Sequence, residues 1–336
     1  MSPIRTAAMF DMRAPAFGTP TPALYAAALE MAAFVDEIGV SNINLMEHHG
    51  SEDGYLPQPF VMGGGIAART KRCRISLGAV ILPLHDPVKI AEQIAVLDLM
   101  SNGRLQVTFG AGYVADEFAA FGVSLKDRGR LLDQGVETIL RALHGERFTA
   151  PDGRPVFVRP LPVQPPEAII AIGGGVEASA KRAAKFGLGF SPLRADLLDL
   201  YEAECRRLGR EPGPKFSPQG LSNVHLSTDP DATWAKVMPH LKHVVSEYAK
   251  WAEAEPNSNS PFRGLLANDE ALKRCGVFNV MTPGELVARA PQTVSEFGTV
   301  SFMPLVGGLA PEVGWESLEL LKGVLPKLKT DQTVAA

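Results

Sequence analysis

Residues 74–113 limit the possible folds more than any other stretch. They read RISLGAVILPLHDPVKIAEQIAVLDLMSNGRLQVTFGAGY. Ile75 to Leu82 is an apolar run, interrupted only at Ser76 and rich in branched residues, which suits a strand covered on both faces. Asp86-Pro87 supplies a helix start: a carboxylate to accept the first amides, then a proline whose missing N–H is not needed there. Val88, Ala91, Ile94, Ala95 and Leu99 repeat at helical spacing and are expected to face inward. Ser101-Asn102-Gly103 ends the helix, and Leu105 to Phe109 is a second buried strand. Two such strands joined by one helix make a parallel βαβ unit, and that unit sets the architecture of the whole chain.

The same alternation runs from end to end. Further strands are expected at 7–10, 43–46, 168–172, 189–191, 222–227 and 300–304, nearly all followed by helices, with a long helix at 231–253. Eight strand–helix units in 336 residues without an obvious linker predict an α/β fold, a (β/α)8 TIM barrel forming a single domain over 1–336 with insertions at the C-terminal face of its strands. The alternative is two α/β lobes divided near residue 150, where the proline-rich piece 146–166 reads as a small surface hairpin. A barrel carries its chemistry at the C-terminal strand ends. Glu47-His48-His49, Gly110, Gly173 to Gly175 and Gly307-Gly308 would all meet there.

Several function classes drop out on composition. A net charge of −4 gives no general attraction to nucleic acid or anionic lipid. Cys73, Cys205 and Cys275 are few and far apart, so no disulfide framework is implied. The start MSPIRTAAMF lacks the apolar core of a signal peptide, and no 18-residue apolar run occurs; a soluble, cytoplasmic protein with no membrane contact is expected. His240 and His243 lie three apart on the long helix without a companion ligand motif, so no metal is expected and both fit a solvated face. Gly173 to Gly175 lacks the GxGxxG spacing of a dinucleotide fingerprint.

The remaining motifs each carry a chemical reading and a bland one. Adjacent side chains of Glu47-His48-His49 point opposite ways on an extended chain, so only one histidine faces a cavity. An imidazole can take or hold a proton; a polar strand end satisfied by backbone is the plain alternative. Gly173-Gly174-Gly175 lies between strand and helix, where free amides and the helix dipole attract a phosphate and Ser179 can add a hydroxyl. A tight turn explains the same glycines. Gly78-Ala79 interrupts a strand that glycine would weaken, unless another backbone packs close to it.

Together these residues resemble the luciferase-like monooxygenases, the flavin-dependent barrel family that includes bacterial luciferase. The resemblance is carried by LGAVILPLHDPVKIAEQIAVLDLMSNGRLQVTFGAGY, by Glu47-His48-His49, and by Asp116-Glu117-Phe118, Phe121-Gly122 and Asp127-Arg128-Gly129. It resumes at IIAIGGG with Ala183 to Leu188 and at PLVGGLAPEVGWESLELLKGVLPKL. It implies a monooxygenase that uses reduced FMN and O2 to oxidise a small organic substrate. It also implies a separate NAD(P)H:flavin reductase as the source of reduced flavin, and a homodimer formed through helices beside strands two and three. His48 would be catalytic. Glu47, Gly78, Ala79, Gly110, Ala111, Gly173, Gly174, Gly175 and Ser179 would contact the cofactor. By the same resemblance Gly78-Ala79 would be a cis peptide propping the flavin ring, and Gly173 to Gly175 would hold the 5′-phosphate. Ala111 stands where some relatives place an arginine on that phosphate, leaving the contact to backbone, Ser179 or another cation. Two rivals share the motifs: an F420-dependent oxidoreductase that passes a hydride without oxygen, and a non-catalytic flavin-binding protein. Residues 229–277 are least familiar. Their polar centre holds Phe262, Leu265 and Leu266, and a lid or insertion is expected, with Pro261 to Leu266 closing over the flavin.

Overall fold

The computed structural model describes residues 4–217, 220–254, 268–294 and 297–328. The expected lid core, Pro261 to Leu266, lies outside the described residues. The elements alternate from the start: β1 (Arg5–Phe10), α1 (Thr21–Ile38), β2 (Asn42–Leu45), α2 (Pro59–Arg69), β3 (Arg74–Ile81), α3 (Pro87–Ser101), β4 (Leu105–Gly110), α4 (Ala115–Ala120) and α5 (Arg128–Leu143). A small antiparallel hairpin, β5 (Phe148–Thr149) with β6 (Pro155–Val156), then interrupts the pattern. It resumes with α6 (Pro166–Ile169), β7 (Ile170–Gly174), α7 (Glu177–Phe186), β8 (Gly189–Pro192), α8 (Asp196–Arg207), β9 (Leu221–Leu226), α9 (Pro230–Ala254) and α10 (Asp269–Arg274). β10 (Asn279–Met281), α11 (Pro283–Thr293), β11 (Thr299–Phe302) and α12 (Pro311–Val324) complete it.

By internal contacts the chain forms two compact units, one of Met1–Asn44, His48–Pro57 and Gln219–Ala336, the other of Leu45–Glu47 and Gln58–Pro218. In the first unit β1 pairs with β11, β11 with β9, and β9 with β10, all parallel. In the second, β3 pairs with β4, β4 with β7, and β7 with β8, again all parallel. Parallel pairs need a covered crossover, and the apolar runs are buried accordingly. Ala7, Phe10, Val224, Val300 and Phe302 are sealed in the first unit, and Ile75, Leu77, Val107, Phe109 and Ile172 in the second. Among the described residues no helix is long and apolar enough to cross a membrane.

All eight expected strands form, and β10 joins them. Three residues are too few to show periodicity, so only the helix start behind β10 was legible. There Thr282 accepts from the Glu285 amide while the Glu285 carboxylate accepts from the Thr282 amide, a reciprocal cap. α3 departs from its expected face. Ile90 and Leu97 are buried, whereas Val96, Leu99 and Met100 are 44, 42 and 53% exposed. The cause is Asp98, fully buried and accepting from the amides of Val163 and Gln164 and from Gln164 Nε2. A buried carboxylate must be satisfied, and turning it inward rolls residues 96, 99 and 100 outward. Val61 of α2 is also 70% exposed.

Candidate active site

The glycines of the second unit gather at the ends of three adjacent strands. Pairing of β3 with β4 slips between Gly78 and Val80, so Ala79 is an extra residue in the ladder, and the Gly78–Ala79 peptide is cis. The bulge leaves Ala79 exposed between half-buried Gly78 and buried Val80, as such irregularities re-aim side chains at strand ends. A Cβ added to Gly110 would meet the Ala79 Cβ at 3.0 Å, and one at Gly173 would meet the Thr108 methyl at 2.9 Å. β3, β4 and β7 therefore end in a surface kept low by missing side chains, with Gly110 and Ala111 half-buried on it.

Glu47 belongs to this unit and is 3% exposed. Its Oε2 accepts from the Ile81 amide at 2.7 Å and its Oε1 lies 2.6 Å from His85 Nε2. The carboxylate thus fixes the backbone just beyond the bulge, a positioning task. Gly174 sits at φ 151°, and a Cβ there would strike the Ser179 Cβ at 2.9 Å as well as its hydroxyl. Ser179 is buried and its hydroxyl donates to the Val176 carbonyl at 2.7 Å. It shapes the loop from beneath and spends its proton there. Val176 gives α7 no side-chain cap; the Ser179 amide bonds the Val176 carbonyl at 3.0 Å, and the amides before it, with no intrahelical acceptor, suit an anion.

His48 belongs to the first unit. Its ring stacks on Tyr55 at 4.8 Å and on Trp251 at 4.3 Å, both tilted 21° from it, with Tyr248 edge-on at 6.1 Å. Arg13 shares these walls: its guanidinium carbon lies 4.0 Å from the Tyr55 ring centre, 4.9 Å from Tyr248 and 5.4 Å from Trp251. Arg13 Nη1 donates to Asp53 at 2.8 Å, and His243 Nε2 lies 2.8 Å from the same carboxylate oxygen. Asp11 accepts from the amides of Arg13 and Gly307. Burial pushes the Asp11 carboxyl up to about 6 against the pull of Arg13. Burial also works against the Asp53 anion, but the Arg13 charge and the hydrogen bonds from Ser51, Arg13 and His243 outweigh it and hold this carboxyl at about 2.

Sequence patterns pointed to His48 but not to what surrounds it. Asp11 and Arg13 follow β1 directly, so a search for charges at strand ends would have found them. Tyr55, Tyr248 and Trp251 carry no spacing signal. His240 and His243 are not on a solvated face: His240 Nδ1 lies 2.7 Å from the Gly307 carbonyl, and His243 is held by Asp53.

A family model described as luciferase-like monooxygenase matches residues 8–286. The monooxygenase RslO1 of Streptomyces bottropensis is similar in structure, with a TM-score of 0.75 and 26% identity over 96% of this chain and 98% of its own. The limonene 1,2-monooxygenase of Rhodococcus erythropolis is 32% identical over 121 residues, 36% of this chain and 31% of that protein. The chain spans about a third of the length of the first curated relatives it matches. An F420-dependent secondary alcohol dehydrogenase in complex with an F420-acetone adduct has a TM-score of 0.70 at 18% identity, over 97% of this chain and 99% of its own, which shows a shared fold.

Proposed function

This chain belongs to the luciferase-like monooxygenase family, and on that premise we propose that it uses reduced FMN and O2 to oxidise a small organic substrate. The observation that supports the cofactor is the side-chain-poor surface at the ends of β3, β4 and β7, where Ala79 is exposed and Gly78, Gly110, Ala111 and Gly173 to Gly175 are half-buried. A flat ring fits against Gly78, Ala79, Gly110 and Ala111, and a phosphate fits the amides of Gly173 to Gly175 and the uncapped start of α7. Bound reduced FMN supplies the electrons that activate oxygen. Glu47 holds the backbone beyond the bulge, Ser179 shapes the phosphate loop, and His48 takes or holds the proton that moves during substrate oxidation. With no cation at Ala111, backbone amides carry the phosphate.

Titration with FMN, reduced FMN and F420 tests the cofactor. Reduced FMN is expected to bind most tightly; selective F420 binding would overturn the reading in favour of hydride transfer, the second reading that the F420-dependent structure keeps in play. The absence of a dinucleotide fingerprint in the sequence supports a separate NAD(P)H:flavin reductase, so the purified chain with FMN alone is expected to oxidise NADH no faster than free flavin does. We also propose a homodimer. Val61, Val96, Leu99 and Met100 leave α2 and α3 with an apolar face of the kind that marks an association surface. Sedimentation should show a dimer that Val61→Lys with Met100→Glu converts to monomer; a wild-type monomer at micromolar concentration rejects it.

A further inference from the structure

We propose that Arg147, Phe157 and Arg159, beside the small hairpin of the second unit, form a docking site for an extended acidic segment of a partner protein. That segment presents two carboxylates two residues apart. The assignment is independent of the cofactor reading and starts from charge left over within one stretch of chain. Residues 144–167 hold three carboxylates, Glu146, Asp152 and Glu167, and each is engaged elsewhere. Glu146 lies 2.8 Å from Arg141 Nε, Asp152 2.8 Å from Arg154 Nε, and Glu167 2.8 Å from His144 Nε2. Arg154 also reaches Asp86 at 2.6 Å. Arg147 and Arg159 are exposed and have no carboxylate partner among the described residues.

Both guanidinium groups are nevertheless held in place. The Arg147 guanidinium carbon lies 3.5 Å from the centre of the Phe157 ring, and that of Arg159 lies 4.4 Å from the same centre. Arg159 Nη1 donates to the Val158 carbonyl at 2.7 Å, and a Cβ on Gly145 would meet that nitrogen at 3.0 Å. The bare glycine makes room for the arginine. Stacking covers a face of each guanidinium and leaves its in-plane N–H edge for an acceptor. The two carbons are no farther apart than the sum of their distances to the ring, about 8 Å. Side chains at i and i+2 of an extended strand point the same way, about 6.5–7 Å apart. Two carboxylates on such a strand therefore match the pair, each meeting one arginine edge. Phe157 stays 39% exposed, and arginine with an aromatic ring is the composition of a protein-binding hot spot. A nucleic acid suits the site less, because its affinity needs many phosphate contacts and this chain has a net charge of −4. Gln164 Nε2, in the same stretch, donates to the carbonyl of Leu105, the first residue of β4. The stretch thus lies at the strand starts of the second unit, away from the glycine surface at the strand ends.

The test measures binding of dye-labelled probes to the full chain by fluorescence anisotropy at low salt. The probes are the peptides Gly-Glu-Val-Glu-Gly, Gly-Gln-Val-Gln-Gly and Gly-Glu-Glu-Val-Gly, and a ten-nucleotide oligothymidylate. The first peptide is expected to bind about tenfold more tightly than the glutamine peptide, the range for two exposed ion pairs, and more tightly than the other two probes. That preference should fall as salt is raised. Arg147→Gln with Arg159→Gln should reduce it to within about twofold. Arg206→Gln with Arg207→Gln, which removes two exposed arginines of α8, should leave it unchanged. Circular dichroism checks folding, and the wild-type comparison stands alone if the double variant does not fold. No binding of the first peptide, equal binding of the glutamine or adjacent-glutamate peptide, or tighter binding of the oligonucleotide would each overturn the assignment. So would an unchanged preference in the Arg147 and Arg159 variant, or an equal loss in the α8 variant.

Discussion

Replacing His48 with alanine is expected to slow substrate oxidation by about 100- to 10,000-fold, the usual contribution of a positioned proton-transfer group, while flavin binding changes little. The imidazole is 8% exposed and packed against Tyr55 and Trp251. Aromatic pairs of this kind contribute about 0.5–1.5 kcal/mol each, so the fold should lose roughly 1–3 kcal/mol. The kinetic loss corresponds to about 3–5 kcal/mol at the transition state and should exceed the structural one. His48→Phe separates the two, because it keeps a ring in the stack and removes the nitrogens. Thermal melting of His48→Phe should stay near wild type while activity stays as low as in the alanine variant. Activity within threefold of wild type in either variant would remove His48 from the chemistry.

Arg104→Met is expected to destabilise the second unit by about 3–5 kcal/mol, because it strips several buried acceptors of their donor and each one left unmet costs about 1–3 kcal/mol. Arg104 follows α3 and is 8% exposed. Its Nε donates to the Ser101 carbonyl at 2.7 Å, Nη1 to Thr70 Oγ1 and the Cys73 carbonyl, both at 2.9 Å, and Nη2 to the Thr70 carbonyl at 3.0 Å and Ala67 at 3.4 Å. Those carbonyls lie at the ends of α2 and α3 and at the approach to β3, where the helices themselves leave acceptors unmet. Methionine fills a similar volume but satisfies none of them. Denaturant unfolding read by circular dichroism gives the loss. A midpoint within experimental error of wild type would mean that water replaces the arginine at every carbonyl.

The two predictions show unequal legibility. His48 stood out because an imidazole at a strand end is a candidate for proton transfer. Arg104 did not, since nothing in SNGRLQV distinguishes a surface arginine from one that closes two helices.

The sequence by itself determined the order and type of elements. The β3–α3–β4 unit was legible because burial on both faces demands a run rich in apolar, branched residues, and because Asp86-Pro87 and Asn102-Gly103 are local signals. Asp86 does accept from the amides of Val88 and Lys89, and Asn102 is left-handed at φ 55°. The glycine loop after β7 was legible for the same reason, since three glycines can be recognised without knowing their neighbours. Tertiary structure alone decided which face of α3 turns inward, because Asp98 finds its partners in Val163 and Gln164, 65 and 66 residues away. It also decided that Arg13, Tyr55, Tyr248 and Trp251 surround one another and His48, because stacking and ion pairing act through space between residues that the chain keeps far apart. Local propensity is written in neighbouring residues. The partner of a buried charge or an aromatic face is not, and in this protein those partners build the candidate site.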